Sequence, residues 1–284
     1  MRTHHLAEFP VEQLVSAKAG TTISVCIPAR DEATTIGAIV GRIVADLVER
    51  HSLVDEVLVV DDGSADATAA VAAGAGARVV RAGDVLAGWG PGGGKGEAMW
   101  KSLAECRGEV VVWCDADIVD FAPRFVVGLL GPLLGDPGVA FVKACYRRDL
   151  DGRPGEGGRV TELVARPLVS LLFPHLEAFA QPLAGEYAGR REVLERLPFA
   201  PGYGVDLGLL IDAAALVGTE AMAQVDLGHR SHRNRPLREL AGHAEAVLAT
   251  ALDRAGVATF PGAAPAPPDR PPLAEVPAYR DRRS

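Results

Sequence analysis

Two aspartates, Asp115 and Asp117, stand one residue apart directly after an apolar run at 110–114. Two carboxylates at that spacing beyond a strand reach the same small volume, and their oxygen atoms are ligands that suit Mg²⁺ or Mn²⁺. A second acidic pair, Asp61 and Asp62, follows another apolar run. Acids gathered at two strand ends favour a site for a hard cation, and a polar turn that merely ends the strand is the alternative.

The glycine-rich segment GWGPGGGKG, residues 88–96, contains a single cation, Lys95. It does not match a Walker A loop, because Trp89 occupies the first glycine position and Gly96 replaces the Ser or Thr that follows the lysine. The Rossmann spacing is present, but Pro91 lies inside it and the segment belongs to the third strand–helix unit, which argues against a dinucleotide fold. We interpret it as a mobile loop that places Lys95 beside a phosphate, with a purely structural glycine loop as the alternative.

The stretch HRSHRNRPLR, residues 229–238, concentrates arginine and histidine in a chain whose net charge is −8. The acidic balance and the absence of interleaved aromatic residues argue against a nucleic-acid surface. Because arginine binds phosphate and carboxylate groups in a bidentate manner, a small anionic ligand is one interpretation and a solvated basic loop is the other. His232 is a candidate to complete a metal site, since Mn²⁺ accepts imidazole.

The segment GGRVTE, residues 157–162, places Arg159 and Thr161 directly after two glycines. Backbone N–H groups after such glycines can form an anion-binding nest at the start of a helix. Thr161 could equally serve as a simple helix N-cap, and the two interpretations are compatible.

Alternating strand and helix signals in the first half of the chain would position these residues. Repeated units of this length imply a parallel sheet that is covered on both faces and binds ligands at the carboxyl ends of its strands. Strands are predicted at 23–28, 57–60, 77–81 and 110–114. The segments that fall at such ends are 28–32, 61–64 and 115–117.

Helices are predicted between these strands, and the second half of the chain is less regular. A helix runs from Ile36, with Thr34 or Thr35 as its N-cap, and another starts at about Glu97. From Pro261 onward, seven prolines in 24 residues predict a disordered or surface-draped tail. The other predicted elements are a helix at 162–179 interrupted by Pro167 and Pro174, a loop at 196–204, a helix from about Asp206, a strand at 223–227 and a helix at 237–255.

The composition indicates a soluble protein with a substantial core. Hydrophobic residues make up 48% of the 284 residues, and 37 acidic side chains outnumber 29 basic ones. The four cysteines show no C-x-x-C spacing, and Cys26 and Cys114 lie in apolar runs, which is typical of small buried residues. No signal-peptide core and no run of roughly 18 apolar residues is present, so we expect a cytoplasmic protein with no membrane or nucleic-acid partner.

Several long motifs together resemble a known enzyme family. IPARDEATTI (27–36) and VVDDGSADAT (59–68) resemble the nucleotide-binding segments of GT-A glycosyltransferases, whose DxD motif binds metal and nucleotide diphosphate. The segments GPGGGKGEAMWKSL, GGRVTELVARPL, QPLAGEYAGRREVL, LPFAPGYGVDLGLLID and DLGHRSHRNRPLREL resemble retaining glucosyl-3-phosphoglycerate synthases, and the related mannosyl-3-phosphoglycerate synthases share much of the pattern. The similarity covers roughly residues 20–255.

This resemblance implies a fold and an activity. The fold is α/β, the GT-A glycosyltransferase type, with a Rossmann-like, mostly parallel sheet flanked by helices and a less regular C-terminal acceptor-binding part. The activity is transfer of glucose from UDP-glucose to the 2-hydroxyl of 3-phosphoglycerate with retention, aided by Mg²⁺ (or Mn²⁺), in a homodimer; the alternative donor is GDP-mannose. The implied parts are an N-terminal extension (1–20), a nucleotide-sugar-binding part (21–147), an acceptor-binding and metal-completing part of the same domain (148–258) and a Pro-rich tail (259–284).

The resemblance also implies roles for individual residues. Asp117 and His232 would bind the metal, with Asp115 beside the ribose or a metal-bound water. The acceptor would be held by Gly158, Arg159, Thr161 and Asn234. The nucleotide sugar would contact Pro28, Ala29, Glu32, Asp62, Lys95, Asp115, Ala116 and Tyr203. Leu183, through its backbone, and Asp206 would complete the sugar pocket and, with Asp117 and Lys95, form the catalytic set.

Two positions depart from the family pattern, and the chain also looks short at its N-terminus and at 149–156. Family members often carry Asp-Ser-Gly where this chain has Asp61-Asp62-Gly63, and Glu where it has Asp206. No carboxylate stands where a nucleophile would be needed, so we expect substitution on the same face of the sugar, with the leaving phosphate taking the acceptor proton. Asp206 is the alternative base or stabiliser.

Overall fold

The computed structural model describes residues 1–90, 92–148, 157–230, 236–257 and 268–283. Their strands form one eight-stranded sheet in the order β1-β8-β6-β7-β5-β2-β3-β4, in which β7 is antiparallel to its two neighbours and every other pairing is parallel. The strands are β1 (Arg2–His5), β2 (Ile23–Ala29), β3 (Glu56–Asp61), β4 (Arg78–Arg81), β5 (Val110–Trp113), β6 (Phe141–Arg148), β7 (Tyr187–Arg190) and β8 (Met222–Arg230).

Helices cover both faces of the sheet, as the apolar strands require. In β2, Val25 and Ile27 belong to one buried core and Cys26 to the other, because successive side chains of a strand point to opposite faces. The first core is closed by α1 (Val11–Lys18), α2 (Ile36–Ile43), α3 (Thr68–Gly74) and α5 (Arg124–Gly135). The second is closed by α4 (Lys95–Glu105), α6 (Arg166–Leu172), α7 (Arg191–Leu194), α8 (Val205–Val217), α9 (Ala241–Arg254) and α10 (Pro277–Arg283).

The predicted parallel α/β sheet is confirmed, with shifts at the ends of several elements. α4 begins at Lys95, two residues before the predicted start. β8 extends to Arg230 and so carries that side chain to the end of the sheet. The predicted helix at 162–179 ends at Leu172, before Pro174, whereas Pro167 lies in the first turn of α6, directly after a π-helical turn at Thr161–Ala165, and does not break the helix.

Both ends of the chain take part in the fold. Residues 1–20, which the sequence predicts as an extension, contribute edge strand β1 and helix α1. Of the two alternatives predicted for the tail, disorder is wrong for residues 268–283, because the tail packs against the fold and buries Leu273, Val276 and Tyr279 in the second core. Within the described ranges, no helix is long and apolar enough to cross a membrane.

Candidate functional site

A cleft of about 1140 Å³ opens at the carboxyl ends of β2, β3 and β5, where parallel sheets bind ligands. It contains every residue that the sequence predicts for the nucleotide sugar, which the structure therefore brings together. These lining residues are Pro28, Ala29, Glu32, Asp62, Lys95, Asp115, Ala116 and Tyr203, together with Arg30, Asp31, Gly94, Ala98 and Asp117.

A second cavity, of about 840 Å³, adjoins the first and shares four lining residues with it: Lys95, Asp115, Asp117 and Tyr203. It contains the described part of the predicted acceptor set and both remaining catalytic candidates, namely Gly158, Arg159, Thr161, Leu183 and Asp206. Its other lining residues are Arg230, from the basic stretch for which a small anionic ligand is one interpretation, and Arg148, Val160, Leu240, His243 and Val247, which the sequence did not single out. The two cavities meet at the DxD motif and Lys95.

The backbone of the DxD turn is held by hydrogen bonds with two neighbouring elements. Cys114 N donates to Cys26 O on β2 at 3.2 Å, which continues the β2–β5 pairing to the edge of the motif. Thr35 Oγ1 donates to Ala116 O at 2.7 Å. Thr35 occupies the N-cap position of α2, as predicted, but its side chain makes no capping hydrogen bond to that helix. It instead holds the turn between the two aspartates.

Lys95 is held between two carboxylates at the start of α4. Its Nζ lies 2.8 Å from Asp115 Oδ1 and 2.9 Å from Asp206 Oδ1. Burial lowers the pKa of Lys95, but the two carboxylates outweigh burial and raise it well above its usual value. Gly94, at a φ of 83°, precedes the helix and donates its N–H to Asp62 Oδ2 at 2.8 Å. The glycine segment therefore places a charged lysine in the cleft, as predicted.

Arg230 links three carboxylates at the floor of the site. Its Nη2 lies 2.9 Å from Asp115 Oδ2, 3.1 Å from Asp117 Oδ1 and 3.2 Å from Glu186 Oε1. Glu186 is completely buried, and burial raises its pKa although Arg230 opposes the shift. The sequence included Arg230 only in the basic stretch and missed Glu186, whose sole signal was its place in the motif QPLAGEYAGRREVL.

Asp206 is supported from below by two buried residues that the sequence also missed. Lys143 Nζ donates to Asp206 O at 3.0 Å and to Ala184 O at 2.9 Å, next to Leu183. Tyr187 Oη donates to Asp206 Oδ1 at 3.3 Å. Burial lowers the pKa of Lys143 to about 7. These contacts fix the start of α8 relative to the turn that carries Leu183.

The predicted anion-binding turn also lines the second cavity. Gly158 has a φ of 76°, a conformation that favours glycine, and Thr161 is buried beside it. Arg148 runs alongside: its Nη2 donates to Tyr146 Oη at 2.6 Å, and its buried Nε has no hydrogen-bond partner among the described residues. With Arg159 and Arg230, three guanidinium groups line this cavity, which suits a small multiply charged anion.

The predicted metal site is partly described. Asp117 lines both cavities, while His232 and Asn234 lie outside the described residues. Within the described ranges, no group of three or more His, Cys, Asp or Glu residues could hold a metal ion. Asp115 and Asp117 nevertheless provide adjacent carboxylate oxygens facing one cleft, which is the chemistry that Mg²⁺ and Mn²⁺ prefer.

Comparison with known proteins shows clear similarity along most of the chain. Residues 24–159 match the model of glycosyl transferase family 2. Glucosyl-3-phosphoglycerate synthase from Mycolicibacterium paratuberculosis is 51% identical over 255 residues, covering 87% of this chain and 76% of that protein. The enzyme of the same name from Mycolicibacterium smegmatis is 50% identical over 251 residues, covering 87% and 82%.

Two solved structures share the fold over nearly the whole chain. Glucosyl-3-phosphoglycerate synthase from Mycobacterium tuberculosis, in complex with Mn²⁺, UDP-glucose and phosphoglyceric acid, matches with a TM-score of 0.86 and 45% identity, covering 96% of this chain and 98% of that one. Mannosyl-3-phosphoglycerate synthase from Rubrobacter xylanophilus matches with a TM-score of 0.88 and 41% identity, covering 97% of each chain.

Proposed function

The chain belongs to the glucosyl-3-phosphoglycerate synthase family, and from this premise we propose that it transfers glucose from UDP-glucose to the 2-hydroxyl of 3-phosphoglycerate with retention. The observation that carries the proposal is the pair of adjoining cavities that meet at Asp115, Asp117, Lys95 and Tyr203. GDP-mannose is not favoured as the donor, because the curated relatives described above are named for the glucosyl reaction.

The larger cleft receives the nucleotide part of UDP-glucose. Pro28, Ala29, Glu32 and Asp62 surround the uridine at the ends of β2 and β3, and Asp115 and Ala116 face the ribose. Asp62 is oriented by the N–H of Gly94 and, at 3.8 Å, by Arg30. Lys95 and Tyr203 lie where the cleft enters the second cavity, so they face the diphosphate and the sugar.

The second cavity receives the acceptor, a small trianion. Gly158, Arg159 and Thr161 present backbone and side-chain donors at the start of a helix, where anions bind well. Arg148 adds a guanidinium group whose buried Nε finds no hydrogen-bond partner in the part of the chain that the structure describes. We assign Asn234 to the same pocket from the family pattern.

A divalent cation, Mg²⁺ or Mn²⁺, completes the site. The adjacent carboxylates of Asp115 and Asp117 fit such an ion, and Asp117 with His232 would hold it. When bound, the ion neutralises charge on the diphosphate leaving group.

The side chains of the site can support substitution on one face of the sugar. As the bond from the sugar to the diphosphate breaks, Lys95 stabilises the negative charge on the departing diphosphate. The acceptor hydroxyl attacks from the same side, and its proton passes to the departing phosphate. Asp206 accepts bonds from Lys95 and Tyr187, which suits it to orient a sugar hydroxyl rather than to act as a free nucleophile.

A screen of donors against acceptors tests the proposed function. Purified protein is incubated with UDP-glucose or GDP-mannose, with 3-phosphoglycerate, and with Mg²⁺, Mn²⁺ or a chelator. We expect metal-dependent release of UDP and formation of glucosyl-3-phosphoglycerate. Consumption of neither donor above the chelator control would overturn the enzymatic proposal, and faster turnover with GDP-mannose would reassign the donor.

A further inference from the structure

The described part of the C-terminal tail packs against the donor side of the site. Arg270 and Phe199 exchange two backbone hydrogen bonds of 2.9 Å, so the tail pairs with the loop that leads to Tyr203. Trp100 Nε1, on α4, donates to Pro271 O at 2.8 Å. The tail therefore touches both segments that flank the junction of the two cavities.

One side chain of the tail, Arg270, holds the segment that carries Lys95. Its Nε and Nη2 bind the carboxylate of Glu97 as a fork, with Nη2 at 3.0 Å from Oε1. Its Nη1 donates to Trp89 O at 2.7 Å, and its guanidinium lies over the Trp100 ring at 5.5 Å from the centroid. Trp89 precedes Lys95 in the glycine segment and Glu97 follows it, so Arg270 connects the two sides of the segment.

Glu97 is the buried centre of this arrangement. Only 5% of it is exposed, and Lys101 Nζ lies 3.0 Å from its Oε1. Lys101 Nζ also donates to Gly90 O at 3.3 Å, which adds a second link to the glycine segment. The buried carboxylate of Glu97 pairs with both Arg270 and Lys101. It holds both cations in defined positions, because breaking either ion pair would leave a buried charge uncompensated.

We propose that Arg270 is a positioning residue for the nucleotide-sugar donor, acting through Glu97 and Trp89 on the start of α4 and thus on Lys95. The inference rests on the proposed function, since it concerns the donor cleft of that reaction. Lys95 Nζ must lie within hydrogen-bond distance of its carboxylates and of the incoming diphosphate, and small displacements of such groups are costly. The tail then contributes to donor binding by holding Lys95 in position.

Arg270→Ala, compared with Arg282→Ala, tests this role. Arg282 lies in the same tail and pairs with Glu105 at the other end of α4, with an Nη1–Oε1 distance of 3.0 Å, so its loss removes a tail–α4 contact away from Lys95. We expect Arg270→Ala to lower kcat/KM for UDP-glucose on the order of 10- to 100-fold. The KM for 3-phosphoglycerate should stay unchanged, and Arg282→Ala should behave as wild type.

UDP affinity, measured by calorimetry with Mg²⁺ present, should fall in parallel in Arg270→Ala. Arg270→Lys, which keeps the charge without the fork, should show a smaller loss of the same kind, and Glu97→Gln should show a loss at least as large, because it leaves Arg270 and Lys101 without their carboxylate. They carry the test if Arg270→Ala does not fold. The inference would be overturned if the kinetic constants for UDP-glucose and for 3-phosphoglycerate changed by the same factor. It would also be overturned if the Arg270 and Glu97 variants behaved like Arg282→Ala. An inactive wild type that still binds UDP more tightly than Arg270→Ala would refute the proposed function alone.

Discussion

Asp115 and Asp117 lie one residue apart and are held differently. Lys95 and Arg230 both bind Asp115, whereas Asp117 is contacted by Arg230 at 3.1 Å. Burial raises the pKa of Asp115, but Lys95 and Arg230 outweigh it and keep that pKa well below its usual range. This arrangement supports our assignment of Asp117 to the metal and of Asp115 to a supporting role.

Asp117→Ala should reduce turnover to the level seen with a chelator, because it removes a charged ligand from the proposed metal site. The measurement is initial rate against Mg²⁺ concentration with UDP-glucose and 3-phosphoglycerate. Asp120→Asn is the matched control, since Asp120 lies three residues further on and pairs with His229 at 3.5 Å. An Asp117→Ala enzyme that keeps the wild-type Mg²⁺ response would contradict the assignment.

Arg159→Ala should raise the KM for 3-phosphoglycerate by about 10- to 100-fold, the effect of losing a charged hydrogen bond of roughly 1.5–3 kcal/mol. The KM for UDP-glucose should not change. Arg166→Ala is the control, because Arg166 lies on the helix that follows and pairs with Glu162 on the surface. If the KM for the donor alone rose, Arg159 would belong to the other cavity.

Among the elements, α4 and the loop before α8 approach each other closely at the site. A Cβ atom on Gly96 would lie 1.9 Å from Ala200 O, so only glycine allows the two backbones to meet there. Lys95 precedes Gly96 in the chain and Tyr203 follows Ala200 in the loop, and both residues line the junction of the two cavities. The width of the junction therefore depends on one glycine in α4.

Gly96→Ala should lower the free energy of unfolding by about 1–3 kcal/mol through overpacking. It should also raise the KM for UDP-glucose, because α4 or the loop must move. Gly41→Ala in α2 is the matched control: a Cβ there meets nothing within 4 Å, and the change should stabilise the protein by about 0.5–1 kcal/mol. Urea unfolding and donor kinetics measure both effects, and equal behaviour of the two variants would contradict the close-packing argument.

At the scale of the whole molecule, Lys143 connects the sheet to the acceptor half. It lies on β6, is fully buried, and bonds the carbonyls of Ala184 and Asp206 on either side of the sugar pocket. Burial lowers its pKa to about 7, although Asp206 opposes the shift. A buried lysine of this kind makes the stability of the fold depend on pH.

The sign of that dependence follows from proton binding. Below about pH 7, Lys143 is protonated in both states and the cost of its burial is fully present. Between pH 7 and the ordinary lysine pKa of 10.5, the unfolded chain binds more protons than the folded one, so stability increases with pH.

The unfolding free energy of wild type minus that of Lys143→Met should therefore rise between pH 7 and 9, by up to about 1.4 kcal/mol per unit. Urea unfolding of both proteins at pH 6, 7, 8 and 9 measures the difference, because other titrating groups largely cancel. A difference that stays flat or falls above pH 7 would contradict the prediction. The homodimer implied by the family resemblance and the cytoplasmic location expected from the sequence both stay predictions.

Much of the fold could be predicted from the sequence because its signals are local. The apolar runs that became β2, β3 and β5 and the breaks that follow them depend on neighbouring residues, and they located the DxD motif at a strand end. The positions of β1 and of Arg270 could not be predicted. The sequence of a polar N-terminus or of a proline-rich tail does not indicate which part of the fold it packs against.

For the site, the sequence by itself identified residues that belong to short recognisable motifs, such as Asp117, Lys95 and Arg159. Only the tertiary structure placed Glu186, Arg230 and Lys143 beneath them. Arg230 is 115 residues from Asp115 in the chain, and their contact arises when β8 and β5 join the same sheet. The energy of a buried charge depends on the groups around it, and those groups are defined only once the chain has folded.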